Sequence, residues 1–189
     1  MAFFTRFCKK TSVFLAFLFS CTYVFAASHL QIKSAELTQQ EEFYSLDANI
    51  DMRFDKDIEE AINKGVPLSF LVEFQIVSPV KYWFDDEIVT QTQSVVLSYH
   101  ALSRQYLVTR GEHQVSFETL SEATKELGNL QDWNVVEKSL IEKGEPYKAA
   151  LLIRLDKTKL PKAIQVDTLA TEKWSLVSEK VEWAFKEQK

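Results

Sequence analysis

Cysteine is nearly missing from this chain: Cys8 and Cys21 are the only two in 189 residues, and both fall near the start. Beyond residue 21, therefore, disulfide staples, thiol catalysis and thiolate metal sites are excluded. Glycine and proline are also scarce, at four each, which rules out Gly/Pro-rich linkers and collagen-like repeats. The three histidines, His29, His100 and His113, are scattered, and neither an H-E-x-x-H nor a G-x-S-x-G motif occurs. Positive charge is short as well, with 22 Lys+Arg against 27 Asp+Glu for a net −5. An acidic chain repels a phosphate backbone, so no nucleic acid is expected as a partner. No apolar run reaches the roughly 20 residues of a spanning helix.

What is present begins with the first 27 residues. Arg6, Lys9 and Lys10 precede a charge-free, mostly apolar run from Thr11 to Phe25, and Ala26 and Ala27 follow. A basic start, a short apolar middle and a small-residue exit describe a secretory signal. Val24-Phe25-Ala26 sets the expected cut after Ala26, which leaves residues 27–189 as one exported domain. Leu18-Phe19-Ser20-Cys21 offers an alternative, a lipobox that would acylate Cys21 and tether a lipoprotein to the membrane, although Phe19 is bulky for its position. An uncleaved anchor is the other alternative. After the cut, 19 basic residues stand against 27 acidic ones, a net −8, and no cysteine remains. The expected compartment is the periplasm, and the fold has to be held by its core alone.

Period-two patterning dominates the domain. Tyr44, Leu46, Ala48, Ile50, Met52 and Phe54 alternate with polar residues, and Leu68, Phe70, Val72, Phe74 and Ile76 repeat the pattern between Pro67 and Pro79. Both read as half-buried strands. Further strands are expected over 88–102, 105–110, 115–117, 147–155, 164–166 and 174–185, with an edge strand over 30–37. Residues 133–137 read as strand, while the apolar spacing of 135–141 also fits a helix. Two short helices are expected. Asp55 caps one over 56–64 that Gly65 ends, and Thr119-Leu120-Ser121-Glu122 is a capping box for a second that Gly128 closes. The expected fold is a mainly β, antiparallel β-sandwich, immunoglobulin-like in general architecture, with two short helical insertions.

Candidate chemistry is thin. Trp83-Phe84-Asp85-Asp86 lies between strands; neighbouring carboxylates in extended chain point to opposite faces, and no calcium-loop spacing is present. Ser103 stands three residues from His100 on what reads as strand and turn, a spacing that does not aim Oγ at the imidazole. Lys157, Lys159 and Lys162 form a basic cluster that reads as a solvated strand end. Trp83, Trp133, Trp174 and Trp183 read mainly as core, with Trp183 and Phe185 also able to face a partner. No catalytic residue, metal or cofactor is expected. The candidate binding residues are Trp83, Asp85, Asp86, His100 and Arg104, where polar and aromatic side chains mix near strand ends. A hydrolase using Asp85 or Asp86 with His100 is the alternative from another class.

Five phrases in order carry a resemblance: Glu60-Ala61-Ile62-Asn63-Lys64-Gly65-Val66-Pro67-Leu68, Trp83-Phe84-Asp85, Tyr99-His100-Ala101-Leu102-Ser103-Arg104-Gln105-Tyr106, Leu155-Asp156-Lys157-Thr158-Lys159-Leu160-Pro161 and Trp174-Ser175-Leu176. With them the chain resembles a proteobacterial family of small exported proteins known as a domain of unknown function, sometimes labelled proline-rich signal peptide proteins. With four prolines, this chain departs from that label. The resemblance implies export and an antiparallel β domain, and it carries over no catalytic residue. Members of that family often lie near genes for a nitrogen-type sensor kinase, so the resemblance also implies an envelope protein, a sensory one among the options, as partner. The expected function is a non-enzymatic periplasmic module that contacts another envelope protein.

Overall fold

The computed structural model describes residues 28–79, 86–170 and 172–186. The leader, Cys21, Trp83 and Asp85 lie outside the described residues. The chain runs β1 (His29–Gln39), β2 (Phe43–Arg53), α1 (Lys56–Asn63), β3 (Leu68–Ser78), β4 (Asp86–His100), β5 (Gln105–Arg110), β6 (His113–Phe117), α2 (Leu120–Leu127), β7 (Asn129–Glu137), β8 (Tyr147–Leu155), α3 (Lys162–Ala170) and β9 (Val181–Phe185). A three-stranded antiparallel sheet has the order β1-β2-β7, and a six-stranded one β6-β5-β4-β3-β8-β9.

The alternation in the sequence produces the two inner faces. On β2, Tyr44, Leu46, Ala48, Ile50 and Met52 are buried; on β3, Leu68, Phe70, Val72, Phe74 and Ile76 are buried. Phe74 of β3 meets Trp133 of β7 edge to face at 6.4 Å, and Tyr44 of β2 meets Phe185 of β9 at 5.0 Å, so the two sheets share one core. This is the expected sandwich. No described residue is a cysteine. Burial therefore supplies the stability, at about 1.5–3 kcal/mol for each fully buried large aliphatic or aromatic side chain. On β1 the inward set changes phase, from Leu30 and Ile32 to Ala35 and Leu37. A bulge between Ile32 and Ser34 leaves Lys33 unpaired and produces that shift.

Both expected helices form with their caps. Asp55 accepts from the N–H groups of Asp57 and Ile58. Past α1 the chain turns at Gly65 (φ 88°), where Gly65 N–H donates to Ile62 O and Val66 N–H to Ala61 O, the paired bonds of a Schellman ending. Thr119 and Glu122 complete their box reciprocally, at 3.2 and 3.3 Å.

Two expectations need correction, and one open choice is resolved. Residues 164–166 are not a strand but part of α3, which follows Pro161; the Pro161 carbonyl accepts from Ile164 and Gln165 N–H. A proline is pre-organised for helix entry, so a third helix joins the two expected. Residues 174–185 are not one strand. A short 3₁₀ turn spans Glu172–Trp174, Val177 makes an isolated bridge to Arg154, and β9 begins at Val181. The open choice over 135–141 falls to strand as far as Glu137, followed by a 3₁₀ turn at Lys138–Leu140.

Candidate functional site

Of the candidate binding residues, the described ones, Asp86, His100 and Arg104, do not form one surface. Asp86 opens β4 and His100 closes it, fifteen residues end to end. At about 3.3 Å per residue they stand about 45 Å apart, far beyond any hydrogen bond or bridging water. An Asp86–His100 catalytic pair is excluded by that span. Arg104 lies with His100 in the β4–β5 turn, where its φ of 56° reverses the chain.

That turn overturns one expectation. His100 Nδ1 lies 2.9 Å from Ser103 Oγ, and Ser103 N–H also points at Nδ1 at 3.4 Å. The spacing does aim Oγ at the imidazole, because residues 101–104 form a turn that folds Ser103 back onto the strand end. Both side chains are exposed, and Leu102 between them is 93% exposed. No carboxylate among the described residues hydrogen-bonds the ring. A nucleophile needs an oriented base and a sheltered reacting position. This pair closes a turn.

A concavity lies at the other end of the sandwich, between the edge strands of the two sheets. It has a volume of about 720 Å³ and is lined by Leu37, Thr38 and Gln39 of β1, Tyr44 of β2, and Trp183 and Phe185 of β9. Sequence alternation places the aromatics there. On β9, Val181, Trp183 and Phe185 face inward, opposite Leu151, Ala149 and Tyr147 of β8. Phe185 rests edge-on against Tyr44 at 5.0 Å and tilts against Tyr147 at 6.4 Å, while Trp183 leans on Phe74 at 6.3 Å. Tyr44 is buried, whereas Leu37, Trp183 and Phe185 are half-buried and present their outer surfaces to the groove. Glu36 and Lys186 put one charge of each sign on the lining.

Backbone completes the site. β1 pairs only with β2, and β9 only with β8. Among the described residues their outer edges carry no strand. An extended segment can add its main chain to such an edge while alternate side chains settle on the aromatic floor.

A family model for a domain of unknown function, DUF4390, matches residues 27–184. The chain belongs to the DUF4390 family. No curated protein matches it, and no solved structure does.

Elsewhere in the DUF4390 domain two charged residues, Arg110 and Asp156, hold the ends of secondary structure. Arg110 of β5 is only 20% exposed and reaches the C-terminal end of α2. One guanidinium nitrogen donates to the Glu126 and Leu127 carbonyls at 2.6 and 3.0 Å, and another meets the Glu126 carboxylate at 3.2 Å. Burial lowers its pKa, and the Glu126 carboxylate opposes that shift. Arg110→Ala leaves two helix-end carbonyls and a carboxylate without their donor. It is expected to cost about 2–3 kcal/mol in a denaturant melt, and Arg110→Lys should recover little, because a lysine lacks the planar fork. The Lys157–Lys162 cluster likewise ends a strand, where buried Asp156 accepts from Thr158 N–H and Oγ1.

Proposed function

We propose that this DUF4390 protein is an exported, non-enzymatic module that takes an extended segment of another envelope protein into the groove between β1 and β9. The observation that carries this reading is the groove itself, an aromatic floor between two strand edges with no neighbouring strand among the described residues. Such a site binds through main chain and a few apolar anchors, and it asks for no catalytic geometry. Export is supported by the leader and by the start of the family match at Ala27, directly after the expected cut. A domain free of cysteine gains nothing from an oxidising compartment and suffers nothing there. We place the binding surface at the groove and not at Asp86 with His100, because β4 holds those two at its opposite ends.

A photo-crosslinking residue at Thr38, on the groove wall, tests the reading in intact cells. One discrete adduct with an envelope protein is expected. It should weaken at least tenfold when Trp183→Ala removes part of the floor, and it should persist in His100→Ala. No adduct, or an adduct indifferent to Trp183→Ala, contradicts the proposal.

A further inference from the structure

Besides its outer strands β6 and β9, the six-stranded sheet contains an unpaired stretch of edge in the middle of its strand order, distinct from the groove. β4 pairs with β3 along almost its whole length, but β5 pairs with it only from Val95 to His100. Along residues 86–94, the side of β4 that β5 would cover has no strand among the described residues. Thr90, Gln91, Thr92 and Ser94 are exposed there.

This edge differs from the other free edges in charge. β1 carries a bulged Lys33 and Glu36, β7 carries Asp132 and Glu137, and β6 lies between Glu112 and Glu118. On β9, Lys180 and Glu182 pair at 2.8 Å beside the strand. Charges and bulges of this kind are how sheet edges avoid pairing with other chains. Past Asp86 and Glu87, the free residues 88–94 (I-V-T-Q-T-Q-S) contain no charged residue. Two devices stand at one end of the strip, the acidic pair Asp86 and Glu87 and a bulge at Ile88, where Ile76 pairs with Val89 and Val77 with Glu87. Residues 88–94 are therefore an open, uncharged and β-forming strip of edge.

We infer that the free edge of β4 pairs antiparallel with the same edge of a second copy of this chain, forming a two-fold dimer. Two observations select a copy over another partner. The chain is acidic, at −5, and residues 88–94 let two copies meet with no charged residue opposite another. The centre of the strip, Thr90-Gln91-Thr92, also reads the same in both directions. Gln91 lies near the middle of the stretch between the bulge at Ile88 and the first β5-paired residue, Val95. A two-fold axis at Gln91 sets Thr90 opposite Thr92 of the copy on one face, twice over, and Gln91 opposite its own equivalent on the other. Cross-strand threonine pairs are favourable, and an isologous contact requires this self-complementarity. Gln93, on the inward face, holds a buried Oε1 with no hydrogen-bond donor among the described residues; an incoming strand brings side chains within reach of that face.

Light scattering coupled to size exclusion, on the purified chain, tests the inference. Twice the protomer mass is expected for the wild type. The protomer mass is expected for Thr90→Lys with Thr92→Lys, with an unchanged circular dichroism spectrum, because both side chains are exposed. Directly opposed residues lie about 4.5–5.5 Å apart between Cα atoms, within disulfide range. Gln91→Cys, with Cys8 and Cys21 replaced by serine, should therefore link to its copy under mild oxidation. A wild type at protomer mass, a lysine variant that stays dimeric, or a Gln91→Cys variant that does not cross-link overturns the inference. The Trp183→Ala substitution should leave the dimer intact, which separates this edge from the groove.

Discussion

Gly128→Ala is expected to destabilise the domain by at least about 3 kcal/mol, lowering its melting temperature by roughly 10 °C. The cause is not backbone strain, since Gly128 has φ −83° and ψ −8°, which any residue adopts. It is proximity. A Cβ built on Gly128 would sit 1.9 Å from the Ile50 carbonyl oxygen, which belongs to a strand and cannot swing aside. Ile50 N–H also donates to Gly128 O at 2.8 Å, so the junction of α2 and β7 lies directly against β2. An added methyl forces α2 and β7 away from β2 together. Differential scanning calorimetry checks this, and a shift under about 3 °C would mean that the junction relaxes without cost.

Phe74→Ala should cost about 3–5 kcal/mol, the usual range for emptying a buried phenylalanine site. Phe74 is 0% exposed and touches both Trp133, from the opposite sheet, and Trp183, from the groove. The cavity left behind removes the support beneath Trp183, so the effect reaches the proposed site as well as the core. Two readouts are expected together: a lower urea midpoint and a red shift in tryptophan emission as Trp133 and Trp183 gain water. A shifted midpoint with unchanged emission would show that the two rings do not depend on Phe74. Crosslinking through the groove should weaken in this variant even at temperatures where it stays folded.

Much of the scaffold is legible in the sequence because alternation and capping are local. The inward residues of β2 and β3, the bounds of β5 and β8, and both capped helices follow from neighbours within one or two turns of chain. Local reading fails where an apolar triplet fits two periods. Ile164 and Val166 look like a strand pair until Pro161 is read as a helix entry, and residues 174–185 look continuous until the bridge at Val177 and the gap before Val181 divide them. The site is harder to see. Asp86 and His100 both flank strands and so invite a joint reading, whereas one long strand carries them to opposite ends. Leu37, Tyr44 and Trp183 come from distant parts of the sequence, and only the packing of one sheet on the other brings them to one groove. The tail alternation of Trp183 and Phe185 is the one local hint of it. Ser103 shows the converse error: its approach to His100 comes from the turn that begins at Ala101, where spacing alone suggests none.

Because the proposed partner is an envelope protein, the decisive observation is where the chain ends its journey and in what form. Intact-mass analysis of fractionated cells measures both at once. The expected species starts at Ala27, carries no lipid and is recovered from the periplasm. Full-length chain in the cytosol, or a diacylglyceryl mass on Cys21 in the membrane, contradicts export as a free periplasmic domain.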